Sequence, residues 1–156
     1  MLTPVKRQKT RRSRGSFAII ASQYNAKYVD ALVAAAEKEL KNSGAKRIRV
    51  IRVPGAFEIP AVAARLASAR PPFSALICLG VILRGQTSHA QQIADAVSAA
   101  LAQLQVQHAL PVIHEVLLLE NEAQAVVRCL DTKHNRGAEA AQTALEMERV
   151  MASLPK

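Results

Sequence analysis

From Ser16 onward the chain alternates between short, almost wholly apolar runs and longer amphipathic segments, and this alternation constrains the fold more than any single motif. The run Phe17-Ala18-Ile19-Ile20-Ala21 has no polar face, so it reads as a strand covered on both sides. After a Ser22-Gln23-Tyr24-Asn25 turn, Val29, Leu32, Val33, Ala36 and Leu40 recur at helical spacing, and Asn42-Ser43-Gly44 supplies a helix stop. The same unit then repeats. Ile48 to Val53 reads as a second strand and Ile59 to Ala69 as a second helix. Ala75 to Leu79 gives a third strand, and a third helix from about Ser88 to Gln107 carries Ile93, Val97, Ala100, Leu101 and Leu104 on one face. Pro111 to Leu119 is a fourth strand, with closing helices expected over 121–130 and 136–151.

Four strands, each followed by a helix, predict a parallel sheet with helices on both faces, a three-layer α/β/α sandwich of the flavodoxin-like kind. Ligands in such sheets bind beyond the carboxyl ends of the strands. That rule selects Ser22 to Asn25, Pro54 to Glu58, Gly80 to His89, and His114 with the residues after it. The third of these leaves an apolar strand, passes through Gly80, Arg84 and Gly85, and enters a helix at Thr87-Ser88-His89. A helix amino end offers free N–H groups and a positive dipole to an anion, and an imidazole there can move protons near neutral pH.

Composition narrows the function classes. A chain of 156 residues is one domain by length and can bury a core without disulfides or metal. Its two cysteines, Cys78 and Cys129, fall within predicted elements and read as buried thiols of a reducing compartment. No apolar run reaches the roughly 18 residues of a membrane span, so a soluble, cytoplasmic protein is expected. The net charge of +9 is concentrated: Lys6, Arg7, Lys9, Arg11, Arg12 and Arg14 account for six of the nine excess charges. Residues 1–15 read as a basic tail and residues 16–156 as the single folded domain. With no Trp and only two Tyr and three Phe, the body lacks the stacking platforms of nucleic-acid readers, so a polyanion would meet only the tail.

Three blocks carry a specific resemblance. Val53-Pro54-Gly55-Ala56-Phe57-Glu58-Ile59-Pro60, Gly80-Val81-Ile82-Leu83-Arg84-Gly85-Gln86-Thr87-Ser88-His89, and Asn135-Arg136-Gly137-Ala138-Glu139-Ala140-Ala141 with Thr143-Ala144-Leu145-Glu146-Met147 resemble, in order and spacing, the 6,7-dimethyl-8-ribityllumazine synthase family. The resemblance implies condensation of 5-amino-6-(D-ribitylamino)uracil with 3,4-dihydroxy-2-butanone 4-phosphate, with release of phosphate and water, at the penultimate step of riboflavin synthesis. It implies no metal and no redox cofactor. Imine formation, phosphate elimination and ring closure ask for orientation, an anion clamp and a proton shuttle.

The resemblance also distributes roles over this chain. His89 matches the family's proton-transfer histidine; read alone, it fits a surface or capping histidine as well. Gln86 and Thr87 match the phosphate-contacting pair, and Arg128 the phosphate arginine supplied by a neighbouring subunit. By itself Arg128 would be one more exposed helix charge. Tyr24 stands where the family carries a ring that stacks on the pyrimidine, although a core aromatic with its hydroxyl in water is the plainer alternative. Ala56, Phe57 and Glu58 match the substrate loop, with Glu58 accepting from ribityl hydroxyls or simply favouring the helix dipole. Val81, Ile82 and Leu83 are expected to offer backbone groups to the pyrimidine. His114 falls where the family usually has Phe, reaching into the adjacent subunit's site.

Other departures are Glu115 for a usual glycine, Arg136 for a usual lysine, and Gln86 for a usual Glu, Gly or Ala; Leu130 to His134 replaces a usual Gly-Thr-Lys-Ala-Gly run. A site shared between subunits makes homo-oligomerisation part of the expectation. The family forms pentamers, some assembling into sixty-subunit shells, and riboflavin synthase is a candidate partner. The rival classes are a flavodoxin-like module that binds a nucleotide without catalysis and a polyanion-binding protein.

Overall fold

The computed structural model describes residues 12–155. Among these residues the chain runs β1 (Ser16–Ser22), α1 (Ala26–Ser43), β2 (Arg47–Val53), α2 (Ile59–Ala67), β3 (Ala75–Leu83), α3 (His89–His108), β4 (Val112–Leu119), α4 (Glu122–Ala125) and α5 (Arg136–Ser153). A single 3-10 turn, Ala56–Glu58, precedes α2, and a π-helical turn, Val126–Leu130, follows α4. The strands form one parallel sheet in the order β2-β1-β3-β4. The three-layer α/β sandwich expected from the alternation is the fold observed.

Its layers follow from the period of two along each strand. Phe17, Ile19 and Ala21 of β1 pack with α1 and α5, whereas Ala18 and Ile20 pack with α2 and α3. Both faces of β1 and β3 are therefore buried, which is why these strands are continuous apolar runs. Full burial of one such Ile stabilises the fold by about 1.5–3 kcal/mol. α1 ends as its Asn-Ser-Gly signal predicts: Gly44 adopts φ 82° and returns its N–H to the carbonyls of Leu40 and Lys41. α5 lies close enough to α1 that a Cβ on Gly137 would run into the Leu32 carbonyl. Both thiols are free and buried, and burial pushes Cys78 up to about 12 and Cys129 up to about 11.

The element boundaries differ from the expectation in three places. The third strand continues four residues past Leu79, so Gly80 lies inside β3, where a Cβ would sit 3.2 Å from Val116 and 3.3 Å from the Ser22 hydroxyl. The helix expected over 121–130 is one α turn followed by the π turn, with Arg128 and Cys129 in the latter. His114 does not lie beyond a strand end. It pairs with Cys78 in the middle of the sheet, five residues before the end of β4 and thus roughly 16 Å from it.

Most of the tail, residues 1–11, lies outside the described residues. Within 12–15 the chain already packs on the domain: the Ser13 N–H donates to the Ser43 carbonyl at 2.8 Å, and the Ser13 hydroxyl donates to Glu148. The Lys46 N–H donates to the Gly15 carbonyl at 2.9 Å.

Candidate active site

The strand ends are staggered, and the stagger opens the site. β1 pairs with β3 only as far as Leu79, while β3 continues beside β4 to the Leu83–Leu119 pair. Gly80 to Leu83 therefore have a partner strand on one side only. Backbone groups alternate direction along a strand. The Arg84 N–H donates to the Leu119 carbonyl at 2.8 Å, so Ile82 also faces β4, and Val81 and Leu83 face the gap left by β1. Of the three residues expected to offer backbone groups, Ile82 is thus committed to the ladder. The Val81 carbonyl is taken by the Asn25 amide at 2.7 Å, which leaves Leu83 facing the opening.

Asn25 was not singled out from the sequence. It stands at the N-cap position of α1 in the left-handed region, φ 56° and ψ 44°, a conformation asparagine tolerates better than most residues. Its side chain does not cap the helix but ties the β1–α1 turn to β3. The neighbouring turns are joined as well. The Gln23 and Tyr24 N–H groups donate to the carbonyls of Val53 and Pro54, and Arg52 of β2 donates to the Ser22 carbonyl at 3.1 Å while pairing with Asp30. This framework holds Tyr24 and Phe57 with 76% and 60% of their surface exposed, a degree that core aromatics do not show. Ala56, which opens the 3-10 turn, is buried in the core on the α2 and α3 side of the sheet. The Glu58 carboxylate accepts the Gly55 N–H at 2.8 Å through one oxygen; the other has no partner among the described residues.

The loop after β3 is anchored at its start and open at its end. Arg84 pairs with Glu120 at 2.9 Å and donates to Gln91 at 2.7 Å, which in turn donates to Asp95. Beyond it Gly85, Gln86, Thr87, Ser88 and His89 are all exposed. No side chain caps the amino end of α3, and its first turn contains no acid. The closest approach is a long 3.4 Å contact from the His89 N–H to the Thr87 hydroxyl. These unmatched N–H groups and the dipole behind them form an anion-accepting end beside an exposed imidazole.

His114 and Arg128 are not brought to this cluster within one chain. His114 faces the α3 layer, where its Nδ1 accepts the Val116 N–H at 3.1 Å. That contact assigns the ring proton to Nε2, which donates to the Ser98 hydroxyl at 2.7 Å. Burial lowers the pKa of His114, consistent with a neutral ring. Arg128 lies on the opposite side of the sheet, on the π turn packed with α1 and α5, where its charge helps to draw the Glu115 carboxyl down. Glu115 is 8% exposed and meets Arg136 through two hydrogen bonds, at 2.7 and 3.1 Å; Arg136 also pairs with Glu139. Burial nonetheless outweighs these cations and holds the Glu115 pKa above the ordinary carboxylate range. Among the described residues no cluster of His, Cys, Asp and Glu is suited to a metal ion.

The fold and this open cluster define a class: a parallel α/β domain with an anion-accepting helix terminus and exposed aromatic rings at the carboxyl ends of its strands. A family model described as 6,7-dimethyl-8-ribityllumazine synthase matches residues 14–152, and the chain belongs to that family. Similar proteins of that description occur in Stenotrophomonas maltophilia and Xanthomonas oryzae, each 42% identical over 141 residues. These matches cover 89% of this chain and 90% or 91% of the relative. One from Kineococcus radiotolerans is 40% identical over 131 residues, covering 83% of this chain and 80% of its own length. The chain is a transferase of riboflavin biosynthesis.

Proposed function

We propose that the chain joins 5-amino-6-(D-ribitylamino)uracil to 3,4-dihydroxy-2-butanone 4-phosphate in a site completed by a second copy of itself. The observation that carries this reading is the uncapped amino end of α3, with His89 as its first residue. Backbone N–H groups around Gln86 and Thr87 receive the phosphate of the four-carbon substrate. His89 relays protons as the imine forms and phosphate departs. Tyr24 and Phe57 stack against the flat pyrimidine, Leu83 offers backbone groups to its edge, and the unpartnered oxygen of Glu58 accepts from the ribityl chain. Buried Ala56 gives the floor of the pocket, and Val81 and Ile82 hold its wall.

Arg128 supplies the remaining phosphate cation to the neighbour's pocket, and His114 lines it. Two features support this sharing. Within one chain Arg128 and His89 lie in different layers, and the exposed pair Val126 and Val127 directly precedes Arg128 on the same turn, an apolar patch suited to an interface. On the outer face of α3, exposed Ala96, Ala99 and Ala102 leave room for a second helix to approach. The assembly is a pentamer or a shell built from pentamers, residing in the cytoplasm; no helix among the described residues is long and apolar enough to cross a membrane. Mixing the purified chain with both substrates and following lumazine absorbance tests the activity. Turnover is expected, and a folded protein without turnover overturns the reading.

A further inference from the structure

Asn135 uses both ends of its amide. Its Oδ1 accepts the Gly137 and Ala138 N–H groups at 2.8 and 3.2 Å and so caps α5. Its Nδ2 donates to the carbonyl of Cys129, the residue immediately after Arg128. The cap is itself fixed to the sheet. Arg136, the next residue, reaches the buried carboxylate of Glu115 on β4 through two hydrogen bonds and is braced on the other side by Glu139. A continuous set of bonds thus runs from β4 through the start of α5 to the π turn that carries Arg128. The π turn needs such a hold because its helical hydrogen bonds are of the rare, widened kind and α4 before it is only four residues long.

We infer that Asn135 is a positioning residue for Arg128: its Nδ2 fixes the turn so that the guanidinium reaches the phosphorylated substrate, while its Oδ1 serves the helix. The Glu115–Arg136 pair keeps that anchor in register with the sheet. This inference rests on the phosphate role of Arg128 proposed above. It separates two functions of one side chain, and they can be removed separately.

Asn135→Asp and Asn135→Ser both retain good capping oxygens, so α5 keeps its start and the melting temperature stays close to that of the parent chain. Neither carries the amide donor that reaches Cys129. With the full chain and both substrates, each variant is expected to raise KM for the phosphorylated butanone about fivefold to tenfold. kcat and KM for the pyrimidine should change less than about twofold. Arg128→Ala run in parallel distinguishes the two layers of the argument. If Arg128→Ala raises that KM and both Asn135 variants leave it unchanged, the positioning role is wrong. If Arg128→Ala itself leaves it unchanged, the phosphate role of Arg128 is wrong. A rise in Asn135→Asp alone reflects its added negative charge and also overturns the inference.

Discussion

α3 and α5 are long helices of similar length, 20 and 18 residues, but their amino ends are finished in opposite ways. α5 begins with Asn135 accepting two N–H groups and has Glu139 in its first turn. α3 begins with Ser88, makes no side-chain cap, has no acid in its first turn and is exposed through His89. A cap contributes about 1 kcal/mol, so the open end of α3 forgoes stability that α5 takes. Where a chain leaves such groups unmatched in solvent, a ligand can match them. Where it closes them, the helix end serves as an anchor, and here the anchored turn bears Arg128.

The largest expected departure comes from removing the proton carrier at the open end. His89→Ala should lower kcat by about 10²- to 10³-fold with little change in either KM, as steady-state kinetics would show. Next, Arg128→Ala should raise KM for the phosphorylated substrate by about tenfold to a hundredfold, the value of a charge-assisted hydrogen bond. A more pointed contrast exchanges the character of the two helix ends. Ser88→Asp places a carboxylate at the start of α3, where it should raise the melting temperature and weaken the phosphorylated substrate severalfold by occupying the anion's place. Asn135→Ala should do the reverse to stability, costing about 1 kcal/mol in denaturant unfolding. If both substitutions shift stability in the same direction, the contrast between open and closed ends fails.

The smallest effect is a pH dependence. Burial depresses the folded-state pKa of His114 below its ordinary 6.5. The unfolded chain therefore binds the proton first. The stability associated with the neutral ring is complete above about pH 6.5 and is lost as pH falls toward the depressed value. His114→Phe should flatten that part of the stability curve, and the pH profile of substrate affinity should shift with it. Superimposable curves for the two proteins would remove His114 as a titrating group.

The layered α/β fold was legible because the burial of β1 and β3 on both faces writes itself as unbroken apolar runs. The end of β3 was not, since Gly80 looks like a loop residue unless its crowding by Val116 and Ser22 is known. The helical spacing of 121–130 likewise could not reveal a π turn, whose side chains differ from those of an α-helix only in how the carbonyls are matched. At the site, the residue types at the strand ends were readable from motif and fold together. Asn25 and Asn135 were not given roles, because an asparagine in a turn reads as turn chemistry alone. Their bonds to Val81 and Cys129 span 56 and 6 residues and arise only from packing. Glu115 and Arg136 stood out separately as departures from the family pattern, and their pairing appears only when β4 and α5 are brought together.

The central claim is that one site draws His89 and Arg128 from different copies of the chain. It can be tested by dissociating His89→Ala and Arg128→Ala proteins, reassembling them together in equal amounts and measuring lumazine formation at a phosphorylated-substrate concentration well below the parent KM, where each variant alone is nearly inactive. Random mixing in a closed ring leaves about one interface in four with both residues intact, so activity should recover to about a quarter of the parent value. Activity no greater than the mean of the two separate variants, in a mixture shown to have co-assembled, would place both residues in one chain and contradict the account.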